Sequence, residues 1–201
     1  MKKRVLAGIL TVGMAVMIVG CGSNGGNDSG GNDKGSDAGA VSTTVAAADE
    51  KGNYVVNGSF EEPDFTGWTV NNVDNVTEEL DIYTRDTDCY DGVQSLHFYS
   101  GSSDVNFTAE QTLTGLEDGS YKLTGYIQGD TAGDANSSIY FYAVINGETV
   151  KADATLKGYV NWDTVEISGL NVSGGEITIG VNVINAAGGW GTIDAISLVK
   201  E

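Results

Sequence analysis

From Asn53 to its last residue the chain alternates apolar and polar side chains with a period of two, and that pattern constrains the fold more than any other feature. The clearest runs are "SLHFYS", "YKLTGYIQG", "SIYFYAVING", "WDTVEISGL", "EITIGVNVIN" and the closing "AISLVK". Between them lie turn-forming breaks, "YDGVQ", "LEDGSY", "GDTAGDANS", "INGET" and "VSGGE", and the single proline, Pro63, falls in an early loop. No stretch combines a helical period with capping residues. The expected product is an all-β domain, a two-sheet antiparallel β-sandwich of jelly-roll type.

Alternation also sorts the side chains onto two faces. Leu96 and Phe98 point to the core in "SLHFYS", which turns His97 and Tyr99 outward. In "YKLTGYIQ" the core takes Tyr121, Leu123 and Ile127, leaving Thr124, Tyr126 and Gln128 outside. Ile139, Phe141, Ala143 and Ile145 point inward on the next run, so Tyr140 and Tyr142 point out. Ile177, Ile179, Val181 and Val183 are core on the last, with Asn182 outside. A solvated sheet more often carries Lys, Glu and Thr; this outward set is Tyr, His, Gln and Asn. Such a set suits a sugar, because aromatic rings stack on the C–H face of a pyranose while amides and imidazole meet its hydroxyls. The same rings also fit ordinary cross-strand pairs, or a face covered by a loop.

The N-terminal quarter has a different character. "MKKRVLAGILTVGMAVMIVGCG" places Lys2, Lys3 and Arg4 before an apolar run, Val5 to Val19, that is short for a membrane span. "IVGC" resembles a bacterial lipobox, which implies a lipoprotein signal peptide over 1–20, cleavage before Cys21 and a lipid on its sulfur. The following stretch, 21–52, is rich in Gly, Ser, Asn and Asp and reads as a disordered tether, so the folded domain is expected over 53–201. Without the leader, seven basic residues face 28 acidic ones, a formal balance of −21. That excess argues against nucleic acid and anionic headgroups as partners and fits a neutral ligand. With Cys21 lipidated, Cys89 has no partner for an intrachain disulfide, and its acidic setting, "DTDCYDG", disfavours a reactive thiolate.

Two segments at the domain's ends carry a family resemblance. "NYVVNGSFEEPDFTGWTV" contains Asn57, Gly58, Phe60, Glu61, Gly67 and Trp68 in the order N-G-x-F-E then G-W, and "GGWGTIDAISLVK" supplies an aspartate-containing last strand. Together with "SLHFYSG" and "YKLTGYIQG" they resemble carbohydrate-binding modules of the galactose-binding-like jelly-roll type. The carriers "LHFYSG", "GYIQGD" and "GGWGTIDAISL" are most similar to the galactan-binding modules of family 61 found beside bacterial endo-β-1,4-galactanases. The resemblance implies one structural calcium ion tying the first strand to the last, with Glu61 and Asp194 as side-chain ligands and backbone carbonyls near Gly58 and "YDGVQ" completing the shell. A hard cation of six to eight oxygen ligands also suits an acid placed inside an apolar strand; the competing reading is an Asp194 that caps a turn or accepts backbone N–H bonds. By the same resemblance Trp68 packs in the core. Trp162 starts an alternating strand and reads as packing, with a rim position open. Trp190 lies among glycines 188, 189 and 191, which would leave its face free for a sugar.

A glycoside hydrolase needs two carboxylates flanking its cleft. The outward strand positions named above are non-acidic, the lone His97 has no evident Ser-His-Asp setting, and no His/Cys metal set exists. The expectation is therefore a non-catalytic, monomeric, lipid-anchored protein on the extracytoplasmic side of a bacterial membrane, binding a neutral plant-type polysaccharide, with β-1,4-galactan first. Its ligand-contacting residues would be His97, Tyr99, Tyr126, Gln128, Tyr140, Tyr142, Asn182 and Trp190, and it would serve a neighbouring glycoside hydrolase or sugar transporter. The alternative is a structural or adhesive domain whose outward aromatics meet a protein partner or a second copy.

Overall fold

The alternating segments become strands and the glycine-rich breaks become the turns that join them. The computed structural model describes residues 43–134 and 136–201, so the leader, Cys21 and the tether through residue 42 lie outside the described residues. In chain order the strands are β1 (Thr43–Val45), β2 (Thr69–Asn72), β3 (Glu79–Tyr83), β4 (Ser95–Tyr99), β5 (Val105–Thr114), β6 (Gly119–Asp130), β7 (Ser138–Ile145), β8 (Glu148–Asp153), β9 (Gly158–Val172), β10 (Glu176–Asn185) and β11 (Trp190–Lys200). Two single turns of 3-10 helix, Val73–Asn75 and Asp86–Asp88, interrupt loops, and no α-helix occurs among the described residues.

One sheet has the order β1-β5-β10-β7-β8, with β2 sharing the free edge of β5; the other has the order β3-β4-β11-β6-β9. All pairings are antiparallel except β1 with β5. The two-sheet β-sandwich expected from the alternation is the fold observed. Its N-terminal boundary differs from the expectation. Thr43–Val45 pairs with Thr112–Thr114, and Ala46 N–H donates to Thr114 C=O at 2.7 Å, so this part of the supposed tether belongs to a sheet. Two threonines and a valine suit a strand edge, a signal hidden by the alanines and acids around them.

Parity holds across the interior. Leu96, Phe98, Leu123, Ile127 and Ile193 from one sheet meet Phe107, Phe141, Ile177, Ile179, Val181 and Val183 from the other, all of them buried. Each such side chain contributes about 1.5–3 kcal/mol of transfer free energy. The Phe98 and Phe107 rings join the sheets at 5.5 Å between centroids. On β6, Gly125 admits the Phe141 ring: a Cβ at this position would lie 2.2 Å from Phe141 Cε1.

The segment before β2 is bound to β11 along its length. Asn53 Oδ1 accepts from Leu198 N–H at 2.9 Å, Tyr54 N–H donates to Leu198 C=O at 2.9 Å, and Ile196 N–H donates to Gly58 C=O at 2.8 Å. The N-G-x-F-E…G-W pattern acquires a physical account here. Asn57 adopts φ +52, its carbonyl accepts the Trp68 Nε1–H at 3.0 Å, and its side chain accepts from Glu62 N–H and donates to Thr66 C=O. Phe60 and Trp68 then pack in the core with centroids 5.5 Å apart, the place expected for Trp68. Beneath them the buried Gln111 accepts from Val56 N–H at 2.8 Å and donates to the Val56 and Gly67 carbonyls, each at 2.9 Å.

Candidate functional site

The outer face of the β3-β4-β11-β6-β9 sheet carries a trough of about 450 Å³. Its floor follows from register. Trp190 on β11 sits opposite Tyr99 on β4, which sits opposite Glu79 on β3; one row further along, Thr192, His97 and Asp81 align in the same way. The bend after β3 brings Arg85 and Asp88 over one end, and Tyr159 of β9 lines the trough near Trp190. Tyr159 and Trp190 lie 6.1 Å apart between centroids with planes inclined at 55°, so the two rings form an angled wall.

His97 is held tightly. Its ring lies flat on Tyr83, 3.6 Å between centroids and 10° between planes, and the Arg85 guanidinium stands 4.9 Å from the Tyr83 centroid. Nδ1 of His97 is 3.0 Å from Asp81 Oδ1. A carboxylate accepts and does not donate, so Asp81 takes the Nδ1–H, and Nε2 is the ring nitrogen left for another partner. Burial raises the Tyr83 hydroxyl pKa, which keeps that phenol neutral and able to donate.

Of the residues read from the sequence as ligand contacts, His97, Tyr99 and Trp190 line this trough. Gln128 lies on the same sheet but is completely buried beneath it, bonded to Thr192 and to the backbone of Val160. Tyr126 is also on this face, yet it spends one ring face on Tyr90, stacked at 3.6 Å and 14°. These two tyrosines border a second hollow of about 400 Å³ that also meets Asn53, Ser59, Asp91 and Ser197. Trp162 abuts Tyr90 edge-on at 5.6 Å, so it packs at the rim of this cluster.

The remaining three are brought to a different place. Tyr140, Tyr142 and Asn182 lie on β7 and β10, strands of the opposite sheet, so they share no surface with His97, Tyr99 and Trp190, and the expectation that all eight contact one ligand is corrected. Parity gives the face within a strand, but not which sheet a strand joins. Tyr142 lies over Gly180, where a Cβ would meet its Cζ at 2.6 Å, and its hydroxyl bonds Glu110. Burial, then the Glu110 bond, pushes that hydroxyl's pKa far up. Lys151 Nζ stands 4.5 Å from the Tyr140 ring centroid, and Asn182 Nδ2 donates to Ser138 C=O at 3.4 Å. The glycines around Trp190 also act otherwise than expected. A Cβ on Gly191 would strike Phe98 Cζ at 2.4 Å and one on Gly189 would strike Asn185 Nδ2 at 2.4 Å, so both serve packing beneath the strand.

Glu79, Tyr83, Arg85, Asp88, Tyr159 and Thr192 were not among the residues read from the sequence. "ELDIY" did contain a signal: Leu80 and Ile82 alternate with Glu79, Asp81 and Tyr83. Nothing local announced Tyr159, whose position depends on an irregularity of β9.

Glu61 and Asp194 converge on one loop from the two ends of the domain. Glu61 Oε1 accepts from Val93 and Gln94 N–H at 2.7 and 2.8 Å. Asp194, buried on β11, accepts from Tyr90, Asp91 and Ala195 N–H at 2.6, 3.0 and 2.6 Å. Burial raises the Asp194 pKa to about 7, against the lowering effect of those three donors. Among the described residues no group of three or more His, Cys, Asp or Glu side chains is placed to hold a metal. Both Asp194 oxygens thus accept backbone N–H bonds, which is the competing reading of this acid, and a cation at the site would have to use lone pairs that these donors leave over. Burial and the nearby Asp194 push the Cys89 thiol pKa up, in keeping with an unreactive cysteine.

Solved structures of carbohydrate-binding modules are among the neighbours of this two-sheet jelly roll. TmCBM61, a family 61 module solved with β-1,4-galactotriose, superposes with a TM-score of 0.66 at 24% identity, covering 74% of this chain and 99% of its own. A family 16 carbohydrate-binding module superposes at 0.51 with 16% identity, covering 74% of this chain and all of the other. The enzymatically active domain of tailspike protein 4 from bacteriophage CBA120 reaches 0.57 at 13% identity, covering 75% of this chain but only 22% of the tailspike chain. At these identities the likeness is one of fold. No family model and no curated protein matches the sequence.

Proposed function

We propose that the domain is a non-catalytic carbohydrate-binding module whose trough receives a neutral polysaccharide, β-1,4-galactan first among candidates. The observation that carries this reading is the pairing of an angled aromatic wall, Trp190 and Tyr159, with an oriented imidazole, His97, in one open trough. The rings offer stacking surface to the C–H face of a pyranose. In galactose the axial O4 leaves C3–H, C4–H and C5–H on one face. His97 Nε2 would accept from a hydroxyl, while Glu79 and Arg85 would add an acceptor and donors at the same end. The likeness to a module solved with galactotriose supports the choice of sugar.

The same reading extends to the parts that flank the site. A structural calcium ion would be held by Glu61 and Asp194, fixing the 90–94 loop against both ends of the domain. Cys21 would carry the lipid, and the tether would keep the module near the outer side of the bacterial membrane, raising the local concentration of glycan for an adjacent hydrolase or transporter. Affinity electrophoresis in galactan, xylan and mixed-linkage glucan tests the sugar: retardation in galactan alone is expected, and equal mobility in all gels contradicts it. Glu79 and Asp88 place two carboxylates in the trough, so the purified domain should also be incubated with galactan; release of reducing ends would overturn the non-catalytic assignment.

A further inference from the structure

We propose that Gln128 is the positioning residue of the trough: a buried amide that clamps a bulge of β9 and so presents Tyr159 to the glycan. The inference rests on the glycan-binding reading of the trough.

β6 and β9 pair Ile127 with Asp163 and Gly129 with Gly158. Between these two pairs β6 has one residue, Gln128, and β9 has four, Tyr159 to Trp162. An excess of this kind removes ladder partners from the bulged backbone, and the orphaned groups must be satisfied elsewhere. The Gln128 side chain does this. Its Oε1 accepts from Val160 N–H at 2.6 Å, and its Nε2 donates to Thr192 Oγ1 at 3.1 Å and toward Thr87 C=O at 3.5 Å. One fully buried amide thus joins three walls of the trough: the β9 bulge, β11 at Thr192, and the loop that carries Arg85 and Asp88.

Within the bulge Asn161 Nδ2 donates to Tyr159 C=O at 3.1 Å, a local bond that does not tie the tip to the rest of the sheet. Val160 sits at φ +55, a left-handed conformation that a β-branched residue adopts only at a cost. Val160 is 56% exposed and Tyr159 is 50% exposed, with Trp190 on one side of the Tyr159 ring, so packing alone does not fix either one. The Tyr159 ring is carried by this backbone, and the Val160 N–H bond to Gln128 ties that backbone to β6. Gln111 performs the same service on the other sheet, where it clamps Val56 and Gly67. In each case a long amide supplies both the acceptor and the donors that an irregular segment lacks.

The test uses Gln128→Met, which keeps the volume and removes the hydrogen bonds, in the folded domain with β-1,4-galactotriose as probe. Amide exchange at Val160, read without sugar, should quicken about tenfold or more while β10 amides stay protected. Galactotriose affinity by titration calorimetry should fall roughly three- to tenfold, the cost of ordering a freed side chain on binding. In a Tyr159→Ala background the same substitution should cost clearly less. Gln128→Glu, which keeps an oxygen facing Val160 N–H, should retain slow exchange there, and it carries the test if the methionine variant does not fold. Unchanged Val160 exchange in Gln128→Met, fast exchange in a folded Gln128→Glu, or an equal affinity loss with and without Tyr159 would each overturn the inference. Absence of galactotriose binding by the wild type would instead refute the glycan reading, while the exchange measurement still judges the clamp.

Discussion

Replacing Trp190 by alanine should weaken glycan binding strongly while leaving the sandwich intact. The residue lies on β11, where its backbone pairs with Tyr99 on one side and Asp130 on the other, and these ladder bonds do not depend on the side chain. The ring lines the trough and is half-buried, so its loss should cost the fold about 1 kcal/mol or less. Binding is affected more. A pyranose stacked on an indole removes roughly 60–80 Å² of apolar surface from water, worth about 1.5–2 kcal/mol at ~25 cal/mol per Å². That corresponds to a roughly 10- to 30-fold rise in Kd. Titration calorimetry with galactan oligosaccharides and a thermal melt of the same sample separate the two effects. Unaltered affinity in a folded Trp190→Ala protein would refute the reasoning, because the largest ring of the wall would then contribute nothing to the ligand.

Other consequences follow from the same geometry. Tyr140→Ala should leave glycan affinity within about twofold of wild type, since distant sites act independently and this ring lies on the opposite sheet; a large loss in an affinity gel would reinstate that face as a site. Gly125→Ala should destabilise by roughly 1–3 kcal/mol or more, because its methyl would have to displace the buried Phe141 ring, and chemical denaturation would measure it. Calcium should raise the melting temperature of the chelated protein, and Asp194→Asn should abolish the rise; a melt indifferent to calcium and to chelator would remove the ion from the account.

The sequence made the fold legible because each long strand is buried on one face, so that a period of two is forced upon it. Inner residues such as Phe141, Ile179 and Val183 and outer ones such as His97 and Tyr99 followed from that rule alone. The site was legible only in part. Parity placed Tyr142 and Asn182 outward correctly, but sheet membership is decided by long-range pairing, and β7 and β10 joined the sheet away from the trough. Gln128 had the right parity and the wrong role: an outward amide became interior because a bulge of β9 folds over it. The same bulge delivers Tyr159, an extra-residue irregularity that alternation does not encode. Arg85 and Asp88 come from a loop whose path is set by its bonds to the sheet, and loops of this kind have no period to read. At the N-terminal side, Thr43–Val45 is too short a strand to show alternation.

The most direct test of the central claim is a map of backbone and side-chain chemical-shift changes as β-1,4-galactotriose is added to the ¹⁵N-labelled domain. Saturable changes are expected at Tyr99, His97, Tyr159, Trp190 and Thr192, with Tyr140, Tyr142 and Asn182 still. Changes centred on those last three, or none at any residue at millimolar sugar, would contradict the claim.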